Sequence, residues 1–239
     1  PQTTLMILCN PQNPAGNIWD RETLARIGAL CKQYDVIVVS DEIHCDLTKP
    51  GTEYIPFASV DDTCRDISVT CIAPTKTFNL AGLQTAAVYA ENSILHHRMW
   101  RQLNTDEVAE PNAFAIQATI AAFQYGEEWL DELREYVEKN KQYVTEFLQE
   151  KIPLIHPVAG DATYLMWLDC RKITESGRQF VKFIRKTSGL YVSGGNQYGR
   201  GGEGFLRVNV ATSKLVVEDG MQRLYESVDA WLKEEKISK

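Results

Sequence analysis

The stretch that decides the fold class is LMILCNPQNPAGNIWDRETLARIGALCKQYDVIVV, residues 5–39. It begins with a short apolar run at residues 5–9, closed by turn formers, which is typical of a strand covered on both faces. Asp20 can cap a helix that runs to about Tyr34, and a second apolar strand follows at residues 36–39. A helix between two apolar strands predicts an α/β sheet that is mostly parallel at its start.

Further elements continue this alternation and then change character. Two more strands are predicted at residues 67–72 and 85–90, and helices at residues 93–103, 113–123 and 127–151. Beyond them the pattern predicts a strand at 163–168, a helix near 179–186, a Gly-rich loop at 193–204, a strand at 205–210 and a helix from about 217 to 232. We therefore predict a large α/β domain over residues 1–125, followed over residues 126–239 by a connecting helix and a smaller α+β domain.

The composition indicates an ordinary globular protein. The 239 residues are 44% hydrophobic and 24% charged, which excludes disordered and fibrous classes. The net charge is -7 and no block of Lys and Arg offsets it, so nucleic acid and anionic membranes are poor partners. Small molecules remain possible ligands for a protein of this composition.

The sequence favours a cytoplasmic location. No apolar run is long enough to cross a bilayer, and the opening ten residues lack the basic start and apolar core of a signal peptide. The six cysteines include no CxxC pair and lie mostly in apolar segments, which is typical of reduced core thiols.

Two polar signals follow the first two predicted strands. The segment NPQNPAGN, residues 10–17, is either a plain strand-to-helix turn or a ligand loop in which Asn13 is a positioned donor. Asp41 ends the second strand, and is either a solvated strand end or a carboxylate that holds a cation or a protonated ring nitrogen. A metal site with His44 and Cys45 is a third alternative, although no second ligand cluster has matching spacing.

Two cationic residues accompany the later strands. In APTKTFNLAG, residues 73–82, Pro74 removes a backbone donor, so the chain must leave the sheet where Lys76 appears. Lys76 is either a surface lysine or a desolvated amine for Schiff-base chemistry, and the neighbouring Thr75 hydroxyl suits a phosphate. Arg207 interrupts the apolar run GFLRVNVA, and pairs either with a protein carboxylate or with the carboxylate of a substrate.

Taken together and in this order, Asn-Pro-x-Asn-Pro-x-Gly, Asp41, Lys76 and Arg207 resemble the fold-type-I pyridoxal phosphate enzymes of the class I/II aminotransferase superfamily. Each motif is weak alone, but the four at these spacings are specific, and the resemblance covers nearly the whole chain. DEIHCDL and APTKTFNLAGLQ further resemble the cystathionine β-lyase type of carbon-sulfur lyase. The resemblance implies a cofactor-binding large domain, a small C-terminal domain and a homodimer that acts on an amino acid.

The resemblance also implies a role for each of five site residues. Lys76 would bind the cofactor covalently and later shuttle the substrate α-proton. Asp41 would pair with the pyridinium nitrogen, and Asn13 would hydrogen-bond to the ring's 3-oxygen. Thr75 would contact the cofactor phosphate, Arg207 would bind the substrate α-carboxylate, and Asn13 would also contact the substrate.

Three positions differ from many members of the superfamily. His44 stands where many aminotransferases place a tyrosine that also bonds to the 3-oxygen, and a histidine there fits the lyase-like group. Gln84 occupies the place of a frequent phosphate-binding arginine, and Ala73 replaces a frequent serine. The cofactor site is therefore predicted to include His44, with a weaker grip on the phosphate.

The beginning of the chain leads to a further expectation. It has no initiator Met, enters an apolar strand at once, and lacks the long segment that precedes the Asn-Pro motif in such enzymes. We expect a C-terminal portion of an enzyme that binds cofactor poorly by itself. The leading hypothesis is a carbon-sulfur β-lyase that acts on cystathionine or cysteine-type amino acids and gives thiol, pyruvate and ammonia. An aminotransferase is the first alternative, and a non-catalytic fragment or regulatory binding module is the second.

Overall fold

A computed structural model describes residues 2–237 of the chain, which divides into two compact units. The first unit comprises the residues up to 13, 17–134 and 161–163, and the second comprises 14–16, 135–160 and the residues from 164 onward. The division falls within the long helix predicted at residues 127–151. The domain boundary predicted after residue 125 stays a prediction.

A four-stranded sheet forms the centre of the first unit. Its strands, in their order across the sheet, are β1 (Leu5–Cys9), β2 (Ile37–Asp41), β3 (Ser68–Ile72) and β4 (Ala87–Tyr89). The first three are parallel to one another, and β4 is antiparallel to β3. The predicted α/β class, with a sheet that is parallel at its start, is confirmed.

The helices of the first unit fill the connections between these strands and follow the last one. They are α1 (Arg21–Gln33), α2 (Asp62–Asp66), α3 (Pro74–Thr77), α4 (Ser93–Thr105), α5 (Ala115–Tyr125) and the start of α6 (Glu127–Lys151). Asp20 caps α1 as predicted, because its carboxylate accepts a hydrogen bond from the Thr23 backbone N–H at 2.7 Å. Among residues 2–237, no helix combines the length and apolar character that a membrane span requires.

The core of the first unit lies between α1 and one face of the sheet. Leu24 of α1 and Val38 of β2 are fully buried, and Phe57 and Cys64 belong to the same buried cluster. On the opposite face, the side chains of β1 remain open, with Leu5 49% and Ile7 69% exposed. The prediction that β1 is covered on both faces is therefore wrong for the described residues, since they provide packing on one side only.

The second unit is an antiparallel sheet with two helices. Its strands run in the order β5 (His156–Pro157), β6 (Leu165–Asp169), β8 (Phe205–Asn209) and β7 (Ser193–Gly194). Its helices, besides the end of α6, are α7 (Gly177–Ser188) and α8 (Lys214–Ile237). Phe180, Ile184 and Leu224 from the helices and Leu206 from β8 are fully buried. This arrangement is the α+β unit predicted for the C-terminal part.

Gly28 marks the tightest packing of α1. A Cβ added at Gly28 would overlap the sulfur of Cys64, although it would lie 3.7 Å from the Cys64 Cβ. We expect Gly28→Ala to lower the free energy of unfolding by about 1–3 kcal/mol. Adding Cys64→Ala removes the overlap, so the double variant should be more stable than the sum of the two single effects predicts.

Urea unfolding of the four proteins in this cycle measures the coupling. Gly220→Ala in α8 is the matched control, because a Cβ there meets only Leu190 Cδ1 at 3.7 Å. That control should gain about 0.5–1 kcal/mol from the higher helix propensity of alanine. Strict additivity of Gly28→Ala and Cys64→Ala would contradict the packing described.

Candidate active site

The carboxyl ends of three parallel strands lie at one edge of the first unit's sheet. Cys9, Asp41 and Cys71 lie opposite one another in the register of β1, β2 and β3. Burial, and to a smaller extent the charge of Asp41, raises the pKa of both the Cys9 and the Cys71 thiol. The two thiols therefore stay neutral, and Asp41 is the acidic group of this row.

The loop after β1 is tied to the strand end that carries Asp41. The Asn10 backbone N–H donates to the Asp41 carbonyl at 3.1 Å, and the Asn10 side-chain oxygen accepts from the Trp19 N–H at 3.2 Å. The Gln12 N–H closes the turn by donating to the Asn17 carbonyl at 2.9 Å. Asn13, which is half-buried, lies within this fixed loop.

A buried carboxylate that the sequence reasoning missed supports the same loop. Glu42 is only 2% exposed and accepts hydrogen bonds from Ser40 Oγ at 2.8 Å and the Phe57 N–H at 3.0 Å. Burial raises the pKa of Glu42, and burial together with the charge of Glu42 raises the pKa of Tyr54. The Tyr54 hydroxyl donates to the Asn10 carbonyl at 2.8 Å. The Asp-Glu pair at residues 41 and 42 is therefore not a solvated strand end.

Lys76 lies in α3, which begins directly after β3, and not on the strand itself. Pro74 occupies the first turn of this helix, where its missing N–H costs nothing. Thr75 and Thr77 are buried while Lys76 is half-buried, and Thr77 Oγ1 donates to Asp46 Oδ2 at 2.8 Å. These contacts hold Lys76 at the same edge of the sheet as Asp41. Lys76 is therefore not a fully exposed surface lysine.

The residues after β2 complete the polar surroundings. His44 is 3% exposed. Burial, with the charges of Asp46 and Glu42, raises the pKa of the Cys45 thiol to about 12, so this thiol is neutral. Within residues 2–237 no group of three or more His, Cys, Asp and Glu side chains is arranged to hold a metal ion.

The predicted site residues divide between the two units. Five of them lie in the first unit around the carboxyl edge of its sheet: Asn13, Asp41, His44, Thr75 and Lys76. Arg207 belongs to the second unit, at the centre of β8, opposite Trp167 on β6 and Ser193 on β7. Its guanidinium carbon lies 5.1 Å from the centre of the Tyr198 ring.

Known proteins are similar to this chain along most of its length. The sequence model of the family described as Aminotransferase class I and II matches residues 1–224. Cystathionine beta-lyase PatB of Bacillus subtilis is 42% identical over 224 residues, which are 94% of this chain and 58% of that protein. Protein MalY of Escherichia coli is 31% identical over 231 residues, or 96% of this chain and 58% of that protein.

A solved structure shows the same fold. Cystalysin from Treponema denticola, whose crystal structure contains a pyridoxal 5'-phosphate cofactor, superposes with a TM-score of 0.92 and 28% identity. The match covers 95% of this chain and 58% of the cystalysin chain. The chain thus spans a little under three fifths of the length of each of these three proteins.

The buried Glu42 gives a pH dependence to stability. Its pKa is raised in the folded state, so its protonated form stabilises the fold below the ordinary glutamate pKa of about 4.3, and this contribution is lost as the pH rises through the raised pKa. Glu42→Gln keeps the acceptor oxygen but cannot ionise. We therefore expect the unfolding free energy of the unmodified protein to fall relative to Glu42→Gln between pH 4 and pH 8.

Urea unfolding across this pH range measures the difference between the two proteins. Glu53→Gln is the matched control, since Glu53 is an exposed neighbour in the same segment. Parallel stability curves for the unmodified protein and Glu42→Gln would contradict the buried environment of this carboxyl group.

Proposed function

Because this chain belongs to the class I and II aminotransferase family, we propose that the whole protein is a pyridoxal-phosphate-dependent carbon-sulfur β-lyase. Its substrate would be cystathionine or another cysteine-type amino acid, and its products a thiol, pyruvate and ammonia. The observation that supports this proposal is the parallel order of β1, β2 and β3, because Asp41 ends β2 while the segments with Asn13 and Lys76 follow the ends of β1 and β3. The 42% identity to cystathionine beta-lyase PatB supports the lyase reaction.

The donor set fits pyridoxal phosphate group by group. A carboxylate (Asp41) suits the protonated pyridine nitrogen, an amide (Asn13) the ring oxygen, a primary amine (Lys76) the aldehyde carbon, and a hydroxyl (Thr75) the phosphate. His44 is buried three residues beyond Asp41 and would supply a second donor to the ring oxygen. When bound, this cofactor supplies an electron sink for negative charge at the substrate Cα.

The residues of this chain then have distinct tasks. The Lys76 amine holds the cofactor between turnovers and takes the proton from the substrate Cα. Asp41 keeps the pyridine nitrogen protonated, and the neutral thiols beside it add no competing negative charge. Arg207 binds the substrate α-carboxylate through two N–H groups, and the β-thiolate leaves after the proton is removed.

An aminotransferase is the alternative activity. The family description itself supports it. The same Lys76, Asp41 and Arg207 would serve both reactions up to removal of the α-proton. The two reactions differ after this step, because a lyase would expel the β-thiolate, whereas an aminotransferase would keep the β-substituent and release a keto acid.

We further propose that the whole protein is a cytoplasmic homodimer. All six cysteines carry free thiols, which suits a reducing compartment. Several large apolar side chains of α4 and α5 and the segment between them are exposed, among them Ile94, Trp100, Phe114 and Ile116. An apolar surface of this kind is typical of an interface with further protein. Light scattering of the purified protein tests the dimer.

The activity is tested on the whole protein with cystathionine. We expect production of pyruvate and thiol, and loss of at least three orders of magnitude in rate for Lys76→Ala, because the variant lacks the amine that takes the α-proton. Lys139→Ala is the matched control, since the Lys139 side chain is 75% exposed on α6. That control should keep full activity.

Labelling locates the cofactor independently of turnover. Reduction with borohydride after addition of pyridoxal phosphate should mark the peptide that contains Lys76. A labelled protein that forms no pyruvate but transfers the amino group to a keto acid would select the aminotransferase. A protein without label or activity, and whose binding of a partner protein survives Lys76→Ala, would select the non-catalytic binding module.

A further inference from the structure

The Gly-rich segment SGGNQYGRGGEG, residues 193–204, begins with β7, leads into β8 and has no task in the reaction above. Its glycines allow two parts of the loop to meet backbone to backbone. An added Cβ at Gly195 would overlap the Gly202 carbonyl oxygen, and one at Gly202 would overlap the Gly195 carbonyl oxygen. The loop therefore closes on itself, with Tyr198 and Gly199 at its turn, and Gly199 takes a φ of 102° that disfavours other residues.

This closed loop places the Tyr198 ring in an aromatic cluster. Tyr198 packs edge-on against Trp167, with ring centres 5.6 Å apart and an interplanar angle of 88°. Trp167 in turn stacks on Phe205, with ring centres 5.1 Å apart and an angle of 6°. Trp167 is also the partner of Arg207 in the register of β6 and β8, so their side chains share one face of the sheet. The cluster thus fixes Tyr198 above the face on which Arg207 lies.

The Tyr198 ring holds the guanidinium of Arg207 from one side. The distance of 5.1 Å from the guanidinium carbon to the ring centre lies within the range of a cation–π interaction. A cation–π contact is directed at the ring face and not at a hydrogen-bond acceptor, so it does not compete with a carboxylate for the guanidinium N–H groups. The Arg207 side chain has several rotatable bonds. A contact that restrains its guanidinium group therefore reduces the entropy lost when a substrate binds.

We propose that Tyr198 is a positioning residue for Arg207 and thereby favours substrates that carry an α-carboxylate. This inference rests on the proposed role of Arg207 in binding the substrate carboxylate. It also gives the Gly-rich loop a function, since the loop backbone brings the ring to the guanidinium. Tyr164 lies close enough to Arg207 that the arginine charge lowers the pKa of this tyrosine, against the larger effect of burial that raises it.

The test compares two ligands that differ by the carboxylate. Dissociation constants of L-alanine and ethylamine are measured from the absorbance of the cofactor in the whole protein. Tyr198→Leu should raise the dissociation constant of L-alanine about 3- to 30-fold, the range expected for loss of a cation–π contact. It should change the dissociation constant of ethylamine less than about twofold. Tyr198→Phe keeps the ring and should bind both ligands like the unmodified protein.

A second cation–π pair of the same unit provides the matched control. The guanidinium carbon of Arg185 lies 5.0 Å from the centre of the Tyr191 ring, and Tyr191 is 75% exposed. Tyr191→Leu should leave the affinities of L-alanine and ethylamine unchanged. In an Arg207→Gln background, Tyr198→Leu should cause no further loss of L-alanine affinity.

Several results would overturn the inference. Equal weakening of L-alanine and ethylamine by Tyr198→Leu, or an undiminished effect of that change in Arg207→Gln, would show that Tyr198 supports the unit in general. If Tyr198→Leu does not fold, Tyr198→Met provides a second test, because it also removes the ring and should weaken the binding of L-alanine but not of ethylamine. An unchanged ratio of the two affinities in Tyr198→Met would contradict the proposal.

The proposed function fails in a different way. An unmodified protein that shows no cofactor absorbance and no borohydride label on Lys76 would reject the enzyme, and this inference with it. A protein that binds the cofactor, but in which Tyr198→Leu leaves the ratio of L-alanine to ethylamine affinity unchanged, would reject the inference alone.

Discussion

The parallel register of β1, β2 and β3 is the constraint on which the candidate site depends. It places Asp41 directly between Cys9 and Cys71 and directs all three strands to the same edge. A shift of one residue in β2 would turn Asp41 to the opposite face and bring Glu42 into its place. These two neighbouring carboxyl groups therefore have different surroundings. Asp41 is half-buried at the edge of the sheet, whereas Glu42 is buried and hydrogen-bonded to the neighbouring segments.

A buried polar network keeps this register connected to the loop before α1. Glu42 accepts two hydrogen bonds, and Tyr54 links the segment before Phe57 to the Asn10 carbonyl. Such a network is costly to leave incomplete, because each buried polar atom without a partner loses its hydration. The loop that carries Asn13 is therefore fixed by the buried contacts of Glu42 and Tyr54. The raised pKa of Glu42 reflects the cost of burying its carboxyl group.

Apolar periodicity and capping predicted most of the elements from the sequence. The predicted bounds of β1 and α6 agree with the structure, and the Asp20 cap of α1 is confirmed, because these signals are local. Sequence reasoning could not predict the exposed face of β1 or the burial of Glu42. Both depend on which distant segments pack on each side of the sheet, and a pattern of single residues does not contain that information.

Arg207 is a position at which the local sequence indicates an interaction partner but does not identify it. A guanidinium inside an apolar strand loses hydration, so the sequence alone predicts a carboxylate partner. The Tyr198 ring offers a further interaction, because a cation–π contact attracts the guanidinium to the ring face and lowers the cost of its burial. Such a contact does not compete with a carboxylate for the guanidinium N–H groups. Only the folding of the Gly-rich loop, which brings Tyr198 nine residues along the chain to within 5.1 Å of Arg207, makes this arrangement visible.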